Sequence, residues 1–241
     1  MVFQIDYDRL YDAVGQMHYI FKAAKPFPNI SISNFLDDPS LAYVLEEFPV
    51  KQGQKLEDLD PKIWKMYENE HTEGKLVTRA THFKCKDIAL GSLRRILQEF
   101  NSALFLRFLE GVTGIEGLIG DPFFREAGLH CILPGGRLDS HTDFTHHQDL
   151  GLERRGNFFL YLSEDWKEEY GGALSLYDLE GNEVAKHYPM LNHAVIFEAS
   201  DISFHGHPEP LKCPDGMMRK SIAMYYYTAP TGREPKRIVF Q

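Results

Sequence analysis

Apolar and polar positions follow two different periods along this chain, and the change falls near residue 128. Over residues 6–23 the apolar positions recur every three or four residues, which predicts an amphipathic helix. Residues 87–112 show the same spacing more strongly. Asn101 and Ser102 interrupt it, so two consecutive helices are predicted there. We therefore expect a mainly helical N-terminal part.

Shorter signals lie between these predicted helices. Residues 29–36 alternate apolar and polar positions as a strand does. The aspartate pair at 37–38, followed by a proline, can cap a second helix that runs to Phe48. Residues 51–80 are polar, and we interpret them as a mobile loop with one helical turn around Trp64.

The second half of the chain has the pattern of a β protein. Short runs of branched and aromatic residues alternate with Gly, Pro, Asp and Asn, and the predicted strands are 129–133, 157–162, 173–177, 194–198 and 219–227. Such spacing predicts a β sandwich or barrel. We expect one domain over 1–241, mainly β with flanking helices. In it, 1–125 is mainly helical support with one early strand, and 126–230 is the β core.

Composition narrows the class of protein. With 241 residues, 43% apolar and 25% charged, the chain can build one sizeable core. The net charge of −9 argues against nucleic acid as a habitual partner. No stretch approaches the roughly 20 apolar residues of a membrane span. The acidic first residues do not resemble a secretory signal. Cys85, Cys131 and Cys213 are too few for a disulfide framework or a thiolate zinc site. We expect a cytoplasmic protein, and leave its oligomeric state open.

His141, Asp143 and His205 are the most informative residues. In an extended strand residues i and i+2 point the same way, so His141 and Asp143 can reach one metal ion. His205 has to come from a second strand. Two imidazoles and one carboxylate hold Fe(II) on one face and leave the opposite positions open. A lone His-x-Asp is common by chance, so the interpretation depends on the residues that accompany it.

Arg219 is the residue that adds weight to this interpretation. It opens the predicted strand 219–227 and shares a strand face with Ser221. A guanidinium grips a carboxylate in bidentate fashion, and a neighbouring hydroxyl can donate one more bond. A buried dicarboxylate co-substrate would need such a pair. The alternative is that Arg219 pairs with an acid at the surface.

These residues resemble a known family. The order His-x-Asp, distal His and then a basic residue resembles the Fe(II)- and 2-oxoglutarate-dependent dioxygenases, specifically the prolyl 4-hydroxylase-like branch. Four segments carry the resemblance over most of the chain: 130–144 (HCILPGGRLDSHTDF), 154–177 (RRGNFFLYLSEDWKEEYGGALSLY), 204–227 (FHGHPEPLKCPDGMMRKSIAMYYY) and 26–38 (PFPNISISNFLDD). The last of these is typical of bacterial members.

The resemblance implies a double-stranded β-helix, a jelly-roll or cupin-like core, braced by the N-terminal helices. It places His141, Asp143 and His205 on the iron ligands, which are also the catalytic residues. Co-substrate residues follow from the same comparison: Arg219 falls on the anchor of the 2-oxoglutarate C5 carboxylate, Ser221 and Tyr161 support that carboxylate, and Asn157 shares the strand face of Tyr161. One departure is Cys131, which stands where many members carry a tyrosine.

The implied activity is that of an oxygenase. It uses Fe(II), 2-oxoglutarate and O2 to hydroxylate an unactivated C–H bond of an amino acid, a peptidyl residue or a related small metabolite, releasing succinate and CO2. Members that halogenate usually lack the ligand carboxylate, so Asp143 favours hydroxylation. Desaturation and ring formation stay open. The alternatives are a zinc hydrolase on the same ligands and a non-catalytic cupin-like binding protein.

Loops at the mouth of such a barrel usually carry specificity, and we expect 51–80 and 144–156 to act as lids. The second contains His146, His147, Arg154 and Arg155. This basic cluster could receive an anion, but we favour solvated surface. His207 could face the cavity or be a satisfied structural histidine.

Overall fold

The computed structural model describes residues 5–78, 91–124 and 127–241. Four helices and twelve strands lie in these ranges. In chain order they are α1 (Tyr7–Ala23), β1 (Asn29–Ile32), α2 (Asp38–Glu47), β2 (Trp64–Asn69), β3 (Thr72–Thr78), α3 (Gly91–Glu99), α4 (Ala103–Thr113), β4 (Ile119–Gly120), β5 (Gly128–Thr142), β6 (Glu153–Tyr161), β7 (Leu174–Tyr177), β8 (Glu183–His187), β9 (His193–Glu198), β10 (Phe204–His207), β11 (Arg219–Thr228) and β12 (Val239–Phe240).

The strands form one antiparallel, nearly closed barrel-like sheet, which is a double-stranded β-helix. Its main path runs β1-β9-β6-β11-β5-β10-β7-β8. The long strand β5 joins both walls, because its first half pairs with β11 and β3 and its second half pairs with β10 and β12. The strands therefore enclose a space that opens at one end, and the predicted fold class is confirmed.

The helices brace the outside of this sheet, as the sequence predicted. α1 packs against α4 and β1. Phe158 of β6 meets Phe100 and Phe105 with ring centroids 5.0 and 5.1 Å apart, and Phe35 lies 5.3 Å from the same ring. All four aromatic rings are buried. Apolar burial of this kind is the main driving force for docking a helix layer onto a sheet.

The local helix predictions are confirmed where the structure describes them. α1 matches the expected helix over 6–23, and Asp37 caps α2 by accepting a hydrogen bond from the Ser40 N–H. The predicted break separates α3 from α4, with Ser102 as the N-cap of α4. The first residues of the predicted stretch, 87–90, lie outside the described residues.

The interpretation of residues 51–80 as a loop is wrong. β2 and β3 form a hairpin there, and β3 pairs with β5. Trp64 and Leu76 point into the core, whereas alternate residues on the other face are polar. Because one face of this hairpin is polar and borders the cavity, its amino-acid composition resembles that of a loop. Residues 1–125 therefore hold β2, β3 and β4 besides the one early strand expected; the division into 1–125 and 126–230 stays a prediction.

No helix in the described parts of the chain is both long enough and apolar enough to cross a membrane.

Candidate active site

Three side chains, two on strands and one directly after a strand, converge at one end of the cavity inside the barrel. His141 of β5 lies opposite His205 of β10 in the antiparallel register, and their ring centroids are 4.5 Å apart. Asp143 follows directly after β5. Its Oδ1 is 3.9 Å from Nε2 of His141, and its Oδ2 is 3.7 Å from Nε2 of His205. One potential ligand atom from each residue lies within 4.8 Å of the others.

Both imidazoles are oriented by the backbone. Nδ1 of His141 lies 2.9 Å from the carbonyl oxygen of Asp139, and Nδ1 of His205 lies 2.9 Å from the carbonyl oxygen of Ser203. A carbonyl only accepts, so each Nδ1 carries the proton and each Nε2 keeps its lone pair. The two lone pairs face Asp143, which is the arrangement a metal ligand set requires.

Asp143 is held by a buried polar network. Arg154 Nη2 donates to its Oδ2 at 2.9 Å, and Asn157 Nδ2 donates to the same oxygen at 2.8 Å. Arg154 also donates twice to Asn157 Oδ1 and stacks on Tyr225, with its guanidinium carbon 3.8 Å from the ring centroid. Both of these bonds to Asp143 go to Oδ2, so Oδ1, which lies 3.9 Å from Nε2 of His141, can serve as a monodentate ligand.

The electrostatics favour the protonation states that bind metal. Burial lowers the pKa of His141 from 6.5 to about 3, and the neighbouring His205 adds to the effect. Burial also lowers the pKa of His205, against the pull of Asp143. Burial acts to raise the pKa of Asp143, but the charge of Arg154 and the two imidazoles hold that pKa well below the ordinary value. Near neutral pH the cluster is therefore two neutral imidazoles and one carboxylate.

Arg219 lies at the other end of the cavity. Its Nε donates to the carbonyl oxygen of Gly172 at 2.7 Å, and its Nη2 donates to the Tyr161 hydroxyl at 3.1 Å. Its side chain lines the cavity, and the residue is only 6% exposed. Ser221 is buried on the same strand face and opposes Tyr161 in the register. Burial raises the pKa of Tyr161, so its phenol stays protonated.

The cavity has a volume of about 620 Å³ and reaches from the three ligands to Arg219. The hairpin β2–β3 forms one wall, with Lys65, Tyr67 and Lys75 facing inward. Asp143 is the only carboxylate among the described residues that line it. A dicarboxylate entering this space meets four cationic side chains and four imidazoles among the described lining residues.

The structure brings together most of the residues predicted from the sequence, with one rearrangement. Asn157 lies with Asp143, whereas Tyr161 lies with Arg219. The two share a strand face but are four residues apart, about 13 Å along a strand. In this structure Asn157 contacts Asp143, and its assignment as a co-substrate residue stays a prediction.

The structure also shows where Cys131, Arg154 and His147 lie. Cys131 points into the hydrophobic core and is fully buried, while its neighbours His130 and Ile132 line the cavity. Arg154 is 1% exposed, so its assignment to a solvated basic surface is wrong. His147 pairs with Asp121 at 3.1 Å and is no part of the ligand cluster.

Sequence reasoning missed Arg154 as a partner of Asp143 and the hairpin as a cavity wall. The sequence carried no signal for Arg154, because residues three apart in a regular strand, such as Arg154 and Asn157, lie on opposite faces. The two side chains meet because the start of β6 is irregular, with a register shift against β11 between Tyr226 and Tyr227. Alternation within Trp64–Asn69 was the signal for the hairpin.

The comparisons with known proteins agree with this geometry. Residues 127–227 match the family model of the 2OG-Fe(II) oxygenase superfamily. Prolyl 3-hydroxylase OGFOD1 of Xenopus laevis is 28% identical over 228 residues, a match that covers 92% of this chain and 39% of that protein. The chain thus spans about two-fifths of the length of this relative.

Solved structures show the same fold. A prolyl hydroxylase from Trichoplax adhaerens, in complex with a hypoxia inducible factor oxygen degradation domain peptide fragment, matches with a TM-score of 0.57 at 17% identity, covering 91% of this chain and 92% of that chain. A prolyl 4-hydroxylase from Phytophthora capsici matches with a TM-score of 0.58 at 19% identity, covering 96% and 68%.

Over residues 127–227 this chain is therefore similar to the 2OG-Fe(II) oxygenase superfamily, and the curated relative it matches is a prolyl hydroxylase. Members of that superfamily are 2-oxoglutarate-dependent dioxygenases, which use Fe(II), 2-oxoglutarate and O2. The donor set fits Fe(II), because two imidazole Nε2 atoms and one carboxylate oxygen converge. The imidazole protons lie on the Nδ1 atoms and point away from this position.

Proposed function

We propose that the protein is an Fe(II)- and 2-oxoglutarate-dependent hydroxylase. His141, Asp143 and His205 hold the metal, and Arg219, supported by Tyr161 and Ser221, holds the far carboxylate of 2-oxoglutarate. The observation that carries the proposal is the convergence of three ligand atoms within 4.8 Å at one end of a cavity, with a buried guanidinium at the other end.

Each residue has a defined task in this proposal. The backbone carbonyls behind His141 and His205 fix both imidazoles with Nε2 toward the metal position. Arg154 and Asn157 hold Asp143 so that one oxygen stays open. Arg219 neutralises the charge of a buried carboxylate, which would otherwise carry a large desolvation penalty. Bound Fe(II) and 2-oxoglutarate supply oxidative chemistry with O2, and the protein supplies position, charge and exclusion of water.

The overall reaction balances as substrate C–H, O2 and 2-oxoglutarate giving substrate C–OH, succinate and CO2. One oxygen atom enters the substrate and the other enters succinate. The ligand carboxylate of Asp143 favours this outcome over halogenation.

For the substrate we propose an amino acid or a peptidyl side chain, with the prolyl residue as the first to test. The curated relative is named a prolyl 3-hydroxylase, and the two fold relatives described above are named a prolyl hydroxylase and a prolyl 4-hydroxylase. The cavity mouth supports access by a chain segment, because Tyr67 and Asn69 of β2 are exposed along its rim.

A zinc hydrolase on the same ligands receives less support. Such an enzyme needs a general base near the metal-bound water. Among the described residues of the cavity, the only carboxylate is Asp143 itself. The buried guanidinium of Arg219 also has no task in simple hydrolysis.

The proposal is tested by measuring succinate formation and O2 consumption with Fe(II), 2-oxoglutarate and a panel of prolyl peptides and free amino acids. The wild-type protein should form succinate, and Asp143→Ala should fall to the level of the metal-free protein. Asp139→Asn is the matched control, because the Asp139 side chain bonds Arg137 and His71 rather than the cluster. Equal succinate formation by wild type and Asp143→Ala would overturn the ligand assignment.

A further inference from the structure

His130 is a cavity-lining histidine to which the proposed function gives no task. It lies in the first half of β5, is half-buried and lines the cavity. Neither ring nitrogen has a hydrogen-bond partner among the residues that the structure describes, and neither is occluded by the protein. Both ring nitrogens of a histidine take part in hydrogen bonds, as donor or as acceptor. The side chain is therefore open to a molecule that enters the cavity.

The other histidines of the described cavity lining have their nitrogens in use or covered. His141 and His205 donate from Nδ1 to backbone carbonyls, and their Nε2 atoms face the metal position. Both ring nitrogens of His207 are covered by the surrounding protein, although the residue lines the cavity. Among these four histidines, His130 is therefore the one with nitrogens that a ligand can reach away from the metal position.

The strand register places His130 beside the residues at the Arg219 end of the cavity. His130 of β5 opposes Ser221 of β11, and Ser221 opposes Tyr161 of β6. Side chains at directly opposed positions point to the same face of a sheet, with Cβ atoms about 5 Å apart. Arg219 lies two residues before Ser221 and shares this face. The His130 side chain therefore lies on the cavity wall, one strand away from Ser221.

Ser221 shares the unpartnered state of His130. The residue is only 3% exposed and lines the cavity, and its hydroxyl has no hydrogen-bond partner among the described residues and is not occluded. The two side chains oppose each other on neighbouring strands, yet they form no hydrogen bond with each other. A ligand oxygen that lies between them can bond to both.

The charges at this end of the cavity suit an anionic ligand. Arg219 donates its Nε–H to Gly172 and one Nη2–H to Tyr161, so three N–H groups remain for a ligand. Burial, together with the charges of Lys75 and Arg219, lowers the pKa of His130 well below its ordinary value, so the ring is neutral near pH 7. A neutral imidazole keeps one N–H donor, and a carboxylate offers about four lone-pair positions. The carboxylate can therefore accept from the imidazole as well as from the guanidinium.

We propose that His130 donates a hydrogen bond to the C5 carboxylate of 2-oxoglutarate, beside Arg219 and Ser221, and that it is a co-substrate-binding residue of this chain. The proposal rests on the proposed function, in which Arg219 anchors that carboxylate. The contribution of His130 to binding should then depend on the C5 carboxylate and not on the chelating end of the molecule.

The test is calorimetric titration of the Mn(II)-loaded protein with 2-oxoglutarate and with 2-oxopentanoate, which lacks the C5 carboxylate. His130→Leu and His130→Ala both remove the N–H donor, and the comparison uses those that keep the wild-type Mn(II) affinity. We expect about a tenfold weaker affinity for 2-oxoglutarate, as for one lost hydrogen bond to a charged group, and an unchanged affinity for 2-oxopentanoate. His18→Leu, on helix α1 outside the barrel, is the control and should bind both ligands as wild type does.

The other outcomes separate this proposal from the proposed function. Unchanged 2-oxoglutarate affinity in both His130 variants, equal weakening for both ligands, or loss of Mn(II) binding in both variants would each overturn the role of His130. Arg219→Met should also weaken 2-oxoglutarate selectively. If Arg219→Met leaves that affinity unchanged, the anchor assignment in the proposed function fails, whatever the His130 variants show.

Discussion

A methyl group added at Gly172 should disturb the anchor end of the cavity. Gly172 has φ +71°, and its carbonyl oxygen accepts the Nε–H of Arg219. A Cβ built at this position would lie 2.6 Å from Cδ2 of Leu211 and 3.1 Å from Cδ of Arg219. The first distance is shorter than real contacts allow, so Gly172→Ala requires a shift of Leu211 or of the loop itself.

The neighbouring Gly171 offers a matched control. Its φ is +73° and its ψ is −148°, a region that only glycine adopts readily, so alanine there also meets backbone strain, of about 1–3 kcal/mol. No atom lies within 4 Å of a Cβ added at Gly171. Overpacking costs about 1–3 kcal/mol beyond the strain. Gly172→Ala should therefore unfold in urea at lower concentration than Gly171→Ala.

The decisive assay is the affinity for 2-oxoglutarate, because a displaced Arg219 no longer presents its remaining N–H groups in place. We expect Gly172→Ala to bind 2-oxoglutarate about tenfold more weakly, as for one lost charge-assisted hydrogen bond. Gly171→Ala should bind as wild type does. Equal affinities in the two variants would refute the link between the Gly172 carbonyl and the placement of Arg219.

Three further predictions address the metal end and the pH response. Asn157→Val should weaken Fe(II) binding about tenfold, since outer partners of a ligand carboxylate typically contribute that much; calorimetry with Mn(II) as a substitute checks this, and wild-type affinity would contradict it. Arg154→Met should lower the free energy of unfolding of the metal-free protein by about 3 kcal/mol, because Asp143 then loses its buried cation; Arg155→Met, at the half-buried neighbouring position, is the control in urea unfolding. Glu153 is 4% exposed; burial acts to raise its pKa, but hydrogen bonds from Thr231 hold it below the ordinary 4.5. Its stabilisation is therefore present above about pH 4.5 and lost as the pH falls through the lowered pKa, so Glu153→Gln should flatten the acid side of the stability profile, and an unchanged slope would argue against this.

The ligand motif and the helices could be predicted from the sequence because each depends on local spacing. His141 and Asp143 share a strand face by the two-residue period, and the break at Ser102 follows from a capping residue. Predicting that His205 and Arg219 belong to the site also required the order of the motifs along the chain, because no local rule brings separate strands together.

Other features depend on contacts between distant segments. The hairpin β2–β3 was missed because most of its residues are polar, including the exposed Lys65, Tyr67 and Asn69 at the cavity rim, so its composition matched a loop. Asn157 and Tyr161 were placed on one face correctly, but only the pairing with neighbouring strands assigns one to Asp143 and the other to Arg219. The buried state of Arg154 likewise follows from Asp143 and Tyr225, which no pattern along β6 reveals.

The most direct test of the account is an anaerobic titration of the Fe(II)-loaded protein with 2-oxoglutarate, followed by visible absorption. We predict a charge-transfer band that saturates at one Fe(II) and one 2-oxoglutarate for each chain, and that is absent in His205→Ala. If the wild-type protein gives no band, or if His205→Ala gives the same band, then His141, Asp143 and His205 are not the iron site.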